Sequence, residues 1–546
     1  MSLKNKHARH SRIFISKHLE DLQNTNLSER EFSNSQGIPK STLQGWRYSR
    51  EKIDAPPTQI EFFESEIGQC FLERLVYAVI FHLHECGSVS LNLVSACFKD
   101  IGISKFFASS PTYLKKLARS MQDEVANFGK EQVATMSKNM SPRKISVAQD
   151  ETFFNGQPCL VGIALYSNYI FLEKIVADRR ADTWNFNMEQ ALKGLNVTVL
   201  QSCSDQGSSL IKHVEEHLSA SSSPDLFHII QDISRSGSRA LACKEKGYLD
   251  KLTNEHEKTM KLTQKYELSS ERPFVQHTHE SRLSTQANTE LRTLTNLREA
   301  QLNCKNFKIA RNGVSLNYHP YELKTGLPQS PEKVKALLLE NMDQCQKAIA
   351  DLGGKAQQKL NKAIRLIPKM CASLTFFFST IAAFIEELGL DPRAKYLIED
   401  ELIPAAYLSI VAEKSRDKTS TKRFLDLANE KRIDCLRGCG AYACFSEQER
   451  TLMLETATEM AQVFQRSSSC VEGRNGQLKL RYHNLHRLTQ RKLSSLTVIH
   501  NFHIRRSDRT TPAQRFFRKT HPPLFETVLA RMPELARPRK HTRKVA

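Results

Sequence analysis

Two acidic residues in the middle of the chain stand where an extended, largely apolar run ends. Asp150 closes ISVAQD and Asp205 closes VTVLQSCSD. Side chains at such strand ends point into the crevice outside an α/β sheet, where ligands and substrates bind. Paired carboxylates at adjacent strand ends suit two-metal phosphoryl chemistry. Mg²⁺ prefers hard oxygen ligands, and two ions about 3.5 to 4 Å apart clamp the attacking and leaving oxygens of an in-line displacement. An Asp at a strand end also serves as a turn former or helix N-cap, and Asp205 followed by Gln206-Gly207-Ser208 suits that use too. Near these two, Glu151 adjoins the first acid, while His228 and Asp232 sit in and at the end of DLFHIIQD. Asp232 is a second-metal or outer acid in this reading. His228 either orients a phosphate or a water, or is a satisfied strand histidine.

The elements that would carry these residues begin at Lys144, where helical periodicity gives way to extended runs. CLVGIALY and YIFLEKIV are joined by Ser167-Asn168, a hairpin signal. DTWNFNMEQALKGL reads as a helix, NVTVLQSCSD as a strand, SSLIKHVEEHL as a helix and DLFHIIQD as a fifth strand. Three strands with a hairpin, then alternating helix and strand, predict a mixed α/β sheet, in the strand order of a ribonuclease-H-like domain. From 244 to about 465 strand character disappears. Long amphipathic stretches such as EKVKALLLENMDQCQKAIADL predict an all-helical insertion. Met370 to Ile385, the most apolar long stretch, falls short of the roughly 20 residues of a membrane span and reads as a buried core helix.

Composition excludes collagen-like, disordered and coiled-coil-only classes: 546 residues are 40% hydrophobic and 25% charged, enough for about three or four domains. The formal charge of +20, from 79 Lys and Arg against 59 Asp and Glu, favours a polyanionic partner. Much of the excess lies at the ends. Residues 1–52 hold ten basic side chains against five acidic, and the 42 residues from Arg505 hold twelve against three. In the first segment, Ser28 with Glu31 makes a capping box, Gly37 breaks the chain, and a second helix carries Leu43, Trp46 and Arg47. That is helix-turn-helix spacing, with Lys40, Ser41, Thr42, Gln44 and Arg47 as groove-facing candidates; an ordinary helical hairpin is the alternative. Residues 56–140 read as further helices, either a second DNA-binding unit or a packing module. The thirteen cysteines are scattered without CxxC spacing, which predicts reduced thiols. Cys435, Cys439 and Cys444 form a weak zinc candidate that lacks a fourth ligand. The basic opening MSLKNKHARHSRIF leads into no apolar core and predicts no secretory signal.

From Cys470 to Phe517 the segment CVEGRNGQLKLRYHNLHRLTQRKLSSLTVIHNFHIRRSDRTTPAQRFF resembles the DDE-type transposases of bacterial insertion sequences. QDETFF resembles their first-Asp strand, SCSDQGSSLIKHVE the second-Asp strand and helix, and VADRRADTWNFNMEQAL the stretch between. The resemblance covers about 144–243 and 466–518, with the helical insertion between. It implies a triad of Asp150, Asp205 and Glu472 holding two Mg²⁺ or Mn²⁺ ions, Asp150 bridging both. It also implies cleavage at transposon ends and strand transfer into target DNA. Ser469 and Glu472 have capping-box spacing, the competing role for that Glu, and Glu447, Glu449, Glu455 and Glu459 are its possible substitutes. Arg474, Arg481, Arg487, Arg491 and Lys492 would meet phosphates, with His483, Arg487 and Arg491 sharing one helix face.

The expected organisation is multidomain α plus α/β. A basic arm and helix-turn-helix (1–55) precede a helical module (56–140). A ribonuclease-H-like mixed sheet (141–243 and 466–518) is split by the all-α insertion (244–465), and a basic tail (519–546) follows. Double-stranded DNA is the expected partner, with a homodimer or higher assembly, no membrane, and a cytoplasmic, nucleoid-associated location. Two other readings share these features: a DNA-binding regulator derived from a transposase without the chemistry, and a ribonuclease-H-like nuclease without strand transfer.

Overall fold

The computed structural model describes residues 10–538 apart from 269–272, 416, 465, 467, 486–487 and 507–508. The chain is predominantly helical around one five-stranded mixed sheet. β1 (Arg143–Phe154), β2 (Gln157–Ala164) and β3 (Tyr169–Ile175) form an antiparallel meander; β4 (Val197–Ser204) and β5 (Ser221–Pro224) extend it in parallel from the other edge of β1. The resulting order is β3-β2-β1-β4-β5. Asn155 and Gly156 turn β1 into β2 with φ of 51° and 74°, and Asn168 (φ 58°) helps turn β2 into β3. Left-handed residues suit such turns because their twist matches that of the flanking strands. β1 therefore runs past the expected stop at Asp150.

Seven helices precede the sheet: α1 (Arg12–Asn24), α2 (Glu29–Gln36), α3 (Lys40–Glu51), α4 (Pro57–Phe63), α5 (Glu66–Val79), α6 (Leu91–Asp100) and α7 (Pro111–Ser137). The first three close on Phe32, Ile38 and Leu43, with the Ser28–Glu31 capping box and left-handed Gly37 where the sequence placed them. α4 to α7 share a core with the C-terminal helices, in which Phe81, Phe107 and Phe128 meet Phe502, Phe516 and Leu524.

The two faces of the sheet follow from strand alternation. Val147, Leu160 and Leu172 pack against Trp184 and Met188 of α8 (Ala181–Leu192) and Leu210 of α9 (Ser208–Lys212). The insertion then runs through α10 (Leu226–Leu268), α11 (Pro273–Asn317), α12 (Pro331–Ala348), α13 (Gly354–Glu387), α14 (Pro392–Leu397), α15 (Ile403–Lys414), α16 (Lys418–Arg437) and α17 (Glu447–Ala461). Ala148, Val161 and Ile163, on the second sheet face, are covered by Val471 and Leu478 of α18 (Ser469–Leu485) and Leu493 and Leu496 of α19 (Gln490–Phe502). α20 (Pro512–Phe517) and α21 (Leu524–Leu529) complete the chain.

Three expectations change. DLFHIIQD is not the fifth strand but the first turns of α10, whose N-cap is Asp225: its Oδ1 accepts the Phe227 N–H at 2.8 Å. The true β5, Ser221–Pro224, has low strand propensity and is held from outside, with Ser223 Oγ within 2.7 Å of Ser373 Oγ on α13. Second, the apolar run Met370 to Ile385 lies in the longer α13, whose Gly354–Glu386 portion is long and apolar enough to span a membrane. Here Leu360, Ile367, Leu374, Phe377 and Ile381 lie in the core of the insertion. Third, the C-terminal segment through 538 is docked rather than free. Ala108 N–H donates to the Ala536 carbonyl (2.7 Å), Ala536 N–H to Tyr113 Oη (2.7 Å) and Arg12 N–H to Glu534 (2.9 Å). Arg12, counted in the N-terminal basic arm, is buried and paired with Glu64 at 3.0 Å. Charge counting missed this because Leu524, Val528 and Leu535, all buried, are too few to stand out among the arginines.

α18 and α19 are fastened to the sheet and to the π-helical turn Ile80–Cys86 that follows α5 by buried ion pairs. Arg474 Nε and Nη2 each donate to the Glu173 carboxylate of β3 at 2.7 Å, and Thr497 Oγ1 donates to the same carboxylate at 2.6 Å. The Arg474 and Glu173 side chains are 4% and 0% exposed, so Arg474 is no phosphate contact. Lys492 is likewise buried against Glu85, which also accepts from Gln122 (3.0 Å). Breaking such a pair leaves a buried charge alone. Arg474→Ala is therefore expected to cost about 3 to 5 kcal/mol in urea unfolding. Arg491→Ala, at an exposed pair with Asp123, should cost at most about 1 kcal/mol; similar costs for both would contradict the assignment.

Candidate active site: carboxylates at the end of the parallel strands

β1 and β4 pair in parallel up to Ala148 opposite Cys203, after which β1 stays paired only with β2. Asp150 lies two residues beyond that last rung. Asp205 follows the last residue of β4, and the chain turns immediately: Gln206 takes φ of 66° and Gly207 N–H donates to Asp205 Oδ1 at 2.9 Å. Asp205 thus stands at a strand end as the sequence indicates, whereas Asp150 lies inside β1, still paired with Val161 of β2, just beyond the end of the parallel ladder.

Glu472 comes from the first turn of α18. Its N–H donates to the Ser468 carbonyl (3.2 Å), so the helix starts one residue earlier than the Ser469 capping box would require. Its Oε1 instead lies 3.3 Å from His228 Nε2 in the first turn of α10. Asp225, buried just after β5, sets the geometry of both helix starts. Its N–H donates to the Ser204 carbonyl at 2.9 Å, its Oδ1 accepts from Ser468 N–H at 3.1 Å, and its Oδ2 accepts from Ser468 Oγ. One residue therefore ties the end of β4, through its backbone N–H, to the starts of α10 and α18, through its carboxylate. Sequence reasoning missed Asp225, although an Asp directly before an apolar run is an N-cap signal.

The three acids interact. Burial, against the opposing backbone N–H of Glu151 and with help from the negative charges of Glu472 and Asp205 over the pull of His228, pushes the Asp150 carboxyl up to about 7. Among the described residues no group of three or more His, Cys, Asp or Glu side chains is already gathered as a metal-binding set. Asn475, one turn after Glu472 and 4% exposed, donates from Nδ2 to Asp150 Oδ2 at 2.8 Å. Its Oδ1 is buried without a partner. A divalent cation fits this donor set: it favours ionised carboxylates over protonated ones and accepts neutral oxygens such as an amide carbonyl. Asn475 was also missed, although Glu472-x-x-Asn475 spacing puts both residues on one helix face.

The remaining candidates separate. Glu151 is on the opposite sheet face by strand alternation; it accepts from Trp184 Nε1 (3.1 Å) and Arg179 (3.4 Å) and is not an outer partner of the cluster. Asp232 lies one turn after His228 on α10, not at a strand end. Among the substitutes for Glu472, Glu449 closes a capping box with Ser446, Glu459 pairs with Arg518, and Glu447 and Glu455 are exposed on α17. Cys435 is buried, while Cys439 donates to Asp434, so the three cysteines form no zinc site among the described residues.

Of the basic candidates, Lys40, Ser41, Gln44 and Arg47 are exposed on α3 and Thr42 is half-buried. Arg47 and Gln44 both bond to Glu29, at 2.8 and 3.0 Å. Arg481 does not reach outward: it donates to the Glu85 (2.8 Å) and Cys86 (2.6 Å) carbonyls. Arg487 lies outside the described residues. Because α18 ends at Leu485 and α19 starts at Gln490, His483 and Arg491 do not share a helix face.

Residues 398–544 match a family of unknown function, DUF6399. The matched stretch starts directly after α14, takes in the docked segment that the structure describes through 538, and includes Glu472, Arg474 and Asn475. No curated protein and no solved structure matches the chain.

Because the folded chain holds the Asp150 proton more tightly than an unfolded chain would, wild-type stability should fall as pH rises from about 4 to 7. In metal-free buffer, Asp150→Asn is expected to raise unfolding stability by about 1 to 3 kcal/mol at pH 8. The gain should shrink toward pH 5; a constant difference would contradict the burial and charge account. Asn475→Asp sets a second carboxylate against Asp150 and is expected to cost about 1 to 3 kcal/mol at pH 8. At pH 5 a protonated Asp150 can donate to it, so the cost measured in urea should be smaller there.

Proposed function

We propose that this chain is a DDE-type transposase whose mixed sheet is a ribonuclease-H-like catalytic domain split by the helical insertion. The observation that carries this reading is the approach of Asp150, Asp205 and Glu472 from β1, the end of β4 and α18, close enough for two of them to raise the proton affinity of the third. The order β3-β2-β1-β4-β5, with β2 alone antiparallel to both neighbours, supports the ribonuclease-H-like reading.

Mg²⁺ or Mn²⁺, as two ions, would supply charge neutralisation at the scissile phosphate and activation of the attacking oxygen. Asp150 would bridge the ions, with Asp205 and Glu472 each completing one. His228, with Nε2 3.3 Å from Glu472 Oε1, would position that carboxylate. Asp225 and Ser468 fix the direction from which Glu472 enters. Asn475 holds Asp150 with one end of its amide and leaves an acceptor facing the buried interior of the site. The reaction is hydrolysis of a DNA phosphodiester at the element end, followed by attack of the freed 3′-hydroxyl on target DNA.

The helix pair α2 and α3 would read the element end through Lys40, Ser41, Thr42, Gln44 and Arg47, with the Glu29 contacts exchanging for phosphate or base edges. The net charge of +20 supports binding to double-stranded DNA. Paired-end synapsis implies a dimer or higher assembly, in a cytoplasmic, nucleoid-associated setting.

The test is strand transfer in vitro, with duplexes carrying the inverted repeats that flank the gene and with Mg²⁺ present. Asp150→Ala, Asp205→Ala and Glu472→Ala are each expected to lower turnover by about a thousandfold or more while leaving duplex affinity within about threefold. Turnover surviving any of these changes would overturn the assignment. Duplex binding without metal-dependent cleavage by the wild type would favour a regulator.

A further inference from the structure

A cavity of about 460 Å³ opens between the start of α10, the end of α11, α15, the first turns of α16 and the start of α18. Phe227, Tyr407 and Phe424 supply its flat walls, and Arg466 and Lys414 stand among its polar groups with His319 and several serines; no acidic side chain lines it among the described residues. Phe227 is 40% exposed although large and apolar. Arg466 Nη1 donates to two neutral acceptors, the Ser315 (2.5 Å) and Tyr318 (3.3 Å) carbonyls, which orient the guanidinium without cancelling its charge. Lys414 also lines the cavity. Desolvation by the cavity walls lowers its proton affinity, and the charges of Arg466 and Arg506 lower it further, against the opposing pull of Cys470 and Glu413.

Cations gathered in a recess without a lining carboxylate favour an anion, because an occupant relieves both the desolvation and the mutual repulsion. Arginine and lysine together are the groups that meet phosphate oxygens, and exposed aromatic faces stack on bases in a sequence-tolerant way. The position matters as much. Phe227 immediately precedes His228, the partner of Glu472, and Ser469 stands three residues before Glu472, so the cavity adjoins the carboxylate cluster.

We propose that this cavity binds a single nucleotide, its phosphate against Arg466 and Lys414 and its base against the exposed face of Phe227. Two sources share that chemistry: one unit of a DNA strand lying across the carboxylate cluster, or a free nucleotide. The first rests on the transposase reading; the second does not.

The experiment uses the full chain in metal-free buffer, so that the carboxylate cluster does not select the ligand. Two probes are titrated: a fluorescein-labelled single-stranded oligonucleotide, followed by anisotropy, and a deoxynucleoside monophosphate, followed by calorimetry. Lys414→Glu is expected to weaken whichever probe binds by about tenfold or more, and Phe227→Ala by about tenfold. Arg466→Lys serves as the variant that keeps the charge, and thermal unfolding confirms that each variant is folded. Oligonucleotide binding with this dependence assigns the site to a DNA strand. Monophosphate binding with this dependence assigns it to a free nucleotide, and would stand even if the chain proved unable to cut or join DNA. Failure of both probes to bind the wild type, or binding unchanged in folded Lys414→Glu and Phe227→Ala, would overturn the proposal.

Discussion

The bidentate pair between Glu173 and Arg474 fixes α18 against the sheet, and the carboxylate cluster depends on α18 being there. Two strands can bring Asp150 and Asp205 together by themselves, since both acids leave one parallel ladder at neighbouring positions. The third acid is more than 250 residues further along the chain and has no covalent reason to be near them. A buried ion pair that is costly to break with one partner missing, reinforced by Thr497, is the device that returns α18 to the sheet. Asp225 then sets the angle of entry by holding Ser468 at the head of the helix.

That arrangement also explains how a large helical insertion is tolerated in the middle of a small sheet domain. The chain leaves the sheet at the end of β5, where Asp225 caps α10, and returns at Ser468, which bonds to Asp225. Exit and re-entry share one carboxylate, so the insertion closes a long loop without separating its ends. Its own core, with Phe307, Leu374, Phe377 and Phe464, is built from helices that need nothing from the sheet except contact along one side. The N-terminal helices and the C terminus make a comparable closure on the other side, where Leu524, Val528 and Leu535 join the core of α5 and α7. What reads as a basic tail in the sequence is, through residue 538, a strap with a buried underside.

Most of the sheet and the strand-end position of Asp205 were legible because period-two alternation and the Ser-Asn turn are local signals, while the continuation of β1 past Asp150 was not read. β5 was not: four residues of Ser and Pro carry no strand propensity, and the neighbouring apolar run DLFHII fits a strand or a helix equally by pattern. The Asp225 cap, a local signal, decides between them. Glu472 was reached through resemblance, while Asn475 and Asp225 were passed over because their roles exist only after distant segments meet. The basic residues failed in the opposite direction. Arg474, Arg481 and Lys492 look like a phosphate-binding stripe, yet each is turned inward by an acceptor on an element far away in sequence. Charge counted along a chain does not distinguish a cation facing solvent from one that fastens a helix.

The central claim is that Asp150, Asp205 and Glu472 form one site for divalent cations. Calorimetric titration of the full chain with Mn²⁺ near pH 7, in two buffers of different ionisation enthalpy, tests it directly. The account expects saturable binding of two ions per chain, accompanied by release of the proton that Asp150 holds at about pH 7. It also expects Glu472→Gln to abolish at least one of the two sites. Binding that releases no proton and is unchanged in Glu472→Gln would contradict it.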